Sequence, residues 1–554
     1  MKRVCFFLAI TAVFVQFSCE GYLDKYPLDS PSSTNFPQSK MELEMALNGA
    51  YQSLYKKVGG QMQDELFWDH ATDIGFVRGA YESTEGILTG SVNTRMFSSH
   101  WTHYYKGIQR TNFIIENMAK ARLIIDNAFC DRVEAEAKFI RAYHYMHLTE
   151  RYGDVPFVVS SLNLDNALME RTPKREIIES LLSDLEAAGE VLPESYADND
   201  GGRVTKGAAL ALKARIALYN EKYEVAAAAA QAVMALGYSL HNDYGELFQL
   251  GGEGSNEIIF QLSYHPDVYA NTDHIFLGGR GGTGNWSITV PSRWLIDSYL
   301  CVDGKSIDKS GLYDPAKPYE NRDSRLKESI IVPQTWFGGE LFETHPDSTS
   351  TWRMEGNEMV RVANVEVTNQ FATFTGYLWR KNWDETQYWQ SWAGQGTLSA
   401  KLIRYAEVLL TYAEAKLELD QFDQSAYNAI NAIRRRADMP DVERGLTQDQ
   451  LRKVIRNERK IELAGEGFRL YDIRRWRIAE HVIPGDLPGR KYQAYWDNTG
   501  IPVINEYGHP EYNNQSDVFK IIQKRSFDPQ RDYLWAIPQN ERDLNPSLTQ
   551  NPGY

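Results

Sequence analysis

The chain is poor in cysteine: four in 554 residues, two within the first 19 and the others Cys130 and Cys301. With no Cys-x-x-Cys, neither a disulfide framework nor a zinc ribbon is available. Positive charge is also short. Lys+Arg number 59 against 74 Asp+Glu, a formal net charge of −15, which makes the chain a poor candidate for non-specific nucleic-acid binding, since that requires clustered positive charge. Past the first 20 residues no apolar run reaches the ~18 residues of a membrane-spanning helix. Gly-x-x-x-x-Gly-Lys-Ser/Thr and Gly-x-Ser-x-Gly are missing, which removes one phosphate-cradling loop and one serine-hydrolase class. Gly279-x-Gly281-x-x-Gly284 matches a dinucleotide fingerprint by letter. It is followed by Pro291 and not by a helix start, so it reads as a flexible loop.

What is present begins with a leader. Lys2 and Arg3 precede an apolar run from Val4 to Val15, broken only by Thr11, and Phe17-Ser18-Cys19 closes it. This is a signal-peptide shape. A small residue before Cys at that point fits a lipobox, with Cys19 as the lipidated first mature residue, although Gln16 stands where an aliphatic residue is usual. Ordinary cleavage near Ser18 is the alternative. Lipidation is favoured because no small-x-small site lies nearby and Glu20 to Asp24 are polar enough for a tether. Residues 1–18 are therefore expected to be a signal peptide, 19–40 a tether and 41–554 one domain.

Hydrophobic residues make up 43% of the chain, enough for a folded protein. Helical spacing runs through Leu43, Leu47, Ala50 and Leu54, then through Trp101 to Ile115, Ala135 to Met146, and 176–192. Hairpins of helices are expected within 131–237 and 401–437. Small residues such as Ala226 and Ala413 stand where paired helices would cross, which is tetratricopeptide grammar. Residues 56–99 read as a long loop region. Residues 250–400 are rich in Gly, Asn, Asp, Thr and Trp, with short strand-like runs at 258–260 and 360–367. An insertion this long in a helical framework is usually functional. The fold expected is mainly α, a tetratricopeptide-like scaffold with a large loop-rich insertion and a few short strands.

His144 and His147 sit three apart on a helix, but no third ligand is indicated, so packing and hydrogen bonding is the preferred reading and no metal or cofactor is expected. No carboxylate pair is singled out for glycoside hydrolysis. The aromatics of the irregular regions are more suggestive: Trp68, Phe76 and Tyr81 in the first, and Trp286, Trp336, Trp352, Trp379, Trp383, Trp389 and Trp392 in the second. Sugar rings pack apolar C–H faces on flat aromatics, while Arg and Asn bond their hydroxyls. Most of these tryptophans are expected to be core, with a third or fewer free for a ligand.

Several ordered motifs carry a resemblance over nearly the whole length. They are Cys19-Glu-Gly-Tyr-Leu-Asp24, Ala46-Leu-Asn-Gly-Ala-Tyr51, Glu134-Ala-Glu-Ala-Lys-Phe-Ile-Arg-Ala-Tyr143 closing at Tyr152-Gly-Asp-Val-Pro156, and Gly202-Arg-Val-Thr-Lys-Gly-Ala208. Ile403-Arg-Tyr-Ala-Glu-Val-Leu409, Glu458-Arg459 to Arg475-Trp476, and Gln550-Asn-Pro-Gly-Tyr554 follow in order. Together they resemble the SusD/RagB family of outer-membrane lipoproteins. The resemblance implies a helical-hairpin scaffold and a binding protein without catalysis. It also implies capture of glycans at the cell surface and a SusC-like TonB-dependent transporter as partner. Peptide uptake of the RagB type is the alternative function, and a secreted glycoside hydrolase a more distant one. The resemblance does not carry individual ligand residues. Composition points to the 61–99 and 265–360 segments, with Trp286, Trp336, Trp352 and Tyr81 as stacking platforms and Arg78 and Asn93 as partners for hydroxyls. Glu458, Glu462, Arg469 and Asp472 are expected to form buried ion pairs.

Overall fold

The structure is a computed structural model; it describes residues 36–58, 62–78, 95–162, 166–197, 201–388, 396–491, 500–513 and 518–554. Ten helices organise it: α1 (Lys40–Gln52), α2 (Arg95–Glu116), α3 (Asn127–Tyr152), α4 (Lys174–Val191), α5 (Lys206–Tyr219), α6 (Tyr223–Met234), α7 (Tyr405–Glu418), α8 (Gln424–Arg436), α9 (Gln448–Glu462) and α10 (Arg469–Arg475). Their ends follow local chemistry. The Asp126 side chain accepts from the Phe129 amide at the start of α3, and Gly153, at φ +74°, ends it. Thr447 and Gln450 form a reciprocal capping box on α9. Each cap satisfies amides that the first helical turn leaves without partners.

From α2 to α7 each helix packs on the next, and α7 also packs on α8 and α9. Alanine lets them approach closely. Ala226 and Ala413 are both fully buried, as the periodicity predicts. No helix of the described residues is long and apolar enough to cross a membrane.

Two segments differ from expectation. Residues 400–404 are not the start of a helix. They form a strand, Ala400–Arg404, that pairs antiparallel with Ile258–Leu262 before α7 begins at Tyr405. Both of its faces are buried, so no alternation marks it, and its partner lies some 140 residues away. The 56–99 region, expected as loop, holds a helical turn at Asp64–Phe67, a tighter one at Trp68–Ala71, short strands, and the start of α2. Its polar residues are buried and paired at long range. Asp64 meets His100 and Arg151. Asp69 accepts the amides of Gly465, Gly467 and Arg469, and Asp73 pairs with Arg469 at 2.8 Å.

The expected ion pairs at the C-terminal helices are present and buried. Glu458 meets Arg325 and Arg434, and Asp472 meets Arg459 and Arg475. Glu462 meets Arg325, Arg404 and Arg436. Burial by itself would raise the Glu462 carboxyl, but the three surrounding guanidinium groups outweigh it and hold the carboxyl well below its usual range.

Candidate functional site

The insertion builds a four-stranded antiparallel sheet, named here in chain order β1 (Thr335–Phe337), β2 (Glu340–Phe342), β3 (Ser350–Glu355) and β4 (Glu358–Ala363). Register decides its faces. Trp336 pairs with Leu341, Glu340 with Arg353, and Trp352 with Arg361. Strand alternation then puts Trp336, Leu341, Trp352 and Arg361 in one cross-strand row on one face. Met354 and Met359, opposite each other, share that face. The other face carries Phe337 and Phe342, both buried, with Phe337 packed 4.4 Å from the Trp383 ring. Trp336 is 42% exposed and Trp352 41%. With neighbouring strands about 4.8 Å apart, the two tryptophans are separated by two strand spacings, roughly 10 Å. The Arg361 guanidinium lies 6.0 Å over the Trp352 ring and donates from Nε to Ser350 Oγ. Two of the sequence-predicted platforms thus meet on one open surface.

A second pair meets elsewhere. Gly75–Val77 forms a short strand that pairs with Thr289–Pro291. This carries Arg78 to Trp286, whose carbonyl accepts from Arg78 Nη2 at 2.7 Å. The Arg78 guanidinium also lies 5.0 Å over the Phe371 ring, and Arg280 lies 5.7 Å over it. Phe371 is 48% exposed. Burial lowers the Arg280 pKa from its usual value.

The glycine loop joins the two places. The Gly281 amide donates to Glu366 and that of Gly282 to Glu340, each at 2.8 Å. Gly282 sits at φ +52°, and a Cβ there would come 2.7 Å from the Gly338 carbonyl of the β1–β2 turn. This close approach explains the glycines without a nucleotide: a strand, not a helix, follows them.

Other predicted residues fall differently. Tyr81 and Asn93 lie outside the described residues, as do Trp389, Trp392 and Cys19. Trp68, Trp379 and Trp383 are core, each 1% exposed or less. Trp286 is half-buried and packs against the core and Phe276, so it is only partly a surface platform. His144 bonds Ser53 and His147 bonds Tyr471, both inside the scaffold. Phe371, Arg280, Arg361, Leu341 and the two methionines were not singled out by sequence reasoning. The period-two alternation of 350–363 held the signal for three of them. A groove of about 1240 Å³ lies away from this site, between α9 and the 298–309 and 504–508 loops. None of the predicted residues lines it, and its Arg434 and Arg452 are occupied by Glu458 and Glu418.

Comparison with known proteins places the chain. A profile described as the SusD family matches residues 255–554, and one described as starch-binding, associating with outer membrane, matches 21–218. The chain belongs to the SusD family. SusD-like protein P25 of Formosa agariphila is 27% identical over 536 residues, covering 90% of this chain and 94% of that protein. A crystal structure of a SusD-like carbohydrate-binding protein from Bacteroides fragilis is similar at 27% identity and TM-score 0.79, over 92% of this chain and 99% of that one. Surface glycan-binding protein A from Bacteroides uniformis shares the fold at 19% identity and TM-score 0.64, over 93% and 99%.

Proposed function

We propose that this protein is a cell-surface glycan-binding lipoprotein that captures oligo- or polysaccharide and passes it to a SusC-like TonB-dependent transporter, without itself performing catalysis. The observation that carries the reading is the row containing Trp336 and Trp352. Large aromatic faces left open on one face of a sheet, two strands apart, are costly to expose and suit the apolar faces of sugar rings. Each ring contributes about 1 kcal/mol, so single sugars bind poorly and chains that engage both platforms bind better. The 27%-identical carbohydrate-binding relative supports the ligand class, and the outer-membrane description of the family supports the location. A lipid on Cys19 would supply the anchor, since lipidation on that residue provides the more than one chain that stable attachment needs.

The experiment is affinity electrophoresis on a panel of polysaccharides and peptides, beside an assay for released reducing ends. Trp336→Ala and Trp352→Ala should each weaken retardation by the cognate glycan, and together abolish it, while leaving the melting temperature unchanged. Retardation by peptide alone would establish the RagB-type alternative, and release of reducing ends would refute capture without catalysis. Cys19→Ala should release the protein from membranes; continued membrane fractionation without the transporter would sink the anchor reading.

A further inference from the structure

Resting on that reading of the sheet, we infer that the captured glycan is anionic, bearing carboxylate or sulfate ester groups along its chain. The outer face of the sheet, counted along its four strands, presents Trp336, Leu341, Ser350, Trp352, Met354, Met359, Arg361 and Ala363. It holds one charged side chain, and that side chain is a cation in a protein of net charge −15. The carboxylates of this sheet lie elsewhere: Glu340 faces inward against Arg353, and Glu355 and Glu358 stand at the β3–β4 turn. Arg361 forms no ion pair among the described residues. That contrasts with Arg325, Arg404, Arg436 and Arg459, which all meet carboxylates.

The placement matters as much as the charge. Arg361 ends the row that Trp336 begins, one strand beyond Trp352. A chain lying across the strands would stack on the two rings and bring its next unit to the guanidinium. A planar guanidinium matches carboxylate and sulfate oxygens with paired donors, which a neutral hydroxyl cannot reciprocate as strongly. Arg280, in the glycine loop beside the half-exposed Phe371, forms no ion pair within 4 Å among the described residues, but the Glu366 carboxylate acts on its charge, so the preference rests on Arg361.

The test compares wild type, Arg361→Gln, Arg280→Gln and Trp352→Ala by isothermal titration calorimetry. The probes are oligogalacturonate and its carboxyl-reduced form, and sulfated dextran oligosaccharides beside the same dextran oligosaccharides without sulfate. At least one anionic probe should bind at least tenfold more tightly than its neutral counterpart, about the worth of one charge-assisted hydrogen bond. The arm that shows it distinguishes carboxylate from sulfate. Arg361→Gln should remove most of that preference, raising salt should weaken the anionic probe alone, and Trp352→Ala should weaken both forms. Equal binding of charged and neutral forms, or an unchanged preference in Arg361→Gln, overturns the inference while leaving the tryptophan site standing. Wild type that binds neither anionic probe also overturns it. Binding that survives Trp352→Ala and Trp336→Ala together overturns the site itself.

Discussion

Among the residues, exposure separates tryptophans that the sequence presents alike. Trp336 and Trp352 leave two-fifths of their surface open, whereas Trp286 packs on the core. Trp286→Ala should therefore cost stability, on the order of 2 kcal/mol, about half the cost of a fully buried aromatic. Trp336→Ala should move the unfolding free energy by less than about 0.5 kcal/mol. Denaturant titration of the two variants reads the contrast. Protonation is a second property set at single residues. Burial pushes His509 down to about 4, with its ring against Trp294 at 4.6 Å. The folded state then prefers the neutral ring, so its contribution is intact above the ordinary value of 6.5 and is lost as pH falls from there through 4. Relative to His509→Gln, the wild type should lose about 3 kcal/mol across that window. A pH-independent difference between the two proteins would contradict the assignment.

Elements are held together by two unlike devices. In the scaffold, buried ion pairs join strand Ala400–Arg404 to α9: Arg404 meets Glu462 and Glu257. Glu462→Ala would leave three guanidinium groups without their shared carboxylate, and removing one partner of a buried pair costs about 3–5 kcal/mol. Chemical denaturation should show that loss, and a fall below about 1 kcal/mol would mean the network relaxes around the gap. In the insertion, backbone fit does the joining. Gly282→Ala meets both a positive φ and the Gly338 carbonyl, a strain of about 1–3 kcal/mol. It should displace the β1–β2 turn and weaken glycan binding even though the added methyl group would touch no ligand. Unchanged affinity in that variant would separate the glycine loop from the site.

At the scale of the whole molecule, the main hydrophobic core runs from Phe36 to Leu548, and a smaller cluster around Ala413, Ile430 and Ile455 fills the space between α7, α8 and α9. The four-stranded sheet sits at its margin, with β4 exposed over most of its length and β3 over half of it. Local opening free energy follows buried contact. Hydrogen exchange should therefore be slow in α3, α5 and α7 and fast in β4, well before global unfolding. Exchange in β4 as slow as in α5 would show that the platform belongs to the rigid body. Binding of a glycan across all four strands should slow β4 selectively, because β4 is the edge strand and is otherwise held by its pairing with β3 and by the Arg361 contacts to Ser350 and Trp352.

Much of this was legible in the chain. Helical periodicity marks α1, α4 and α6 because each buries one face against a neighbour, while α3 and α5, buried nearly all round, are marked by their long runs of apolar and small residues. The ordered motifs locate the family because they encode that same local packing. The aromatics of 250–400 mark where a ligand surface belongs. What pattern could not resolve are the features made by distant partners. Ala400–Arg404 is a strand only because Ile258–Leu262 lies beside it, and Asp69 is buried only because the 465–469 backbone comes to it. The site follows the same rule. Which tryptophans stay open, and which cation stands at the end of their row, depend on strand register, and a slip of one residue would turn every one of them inward.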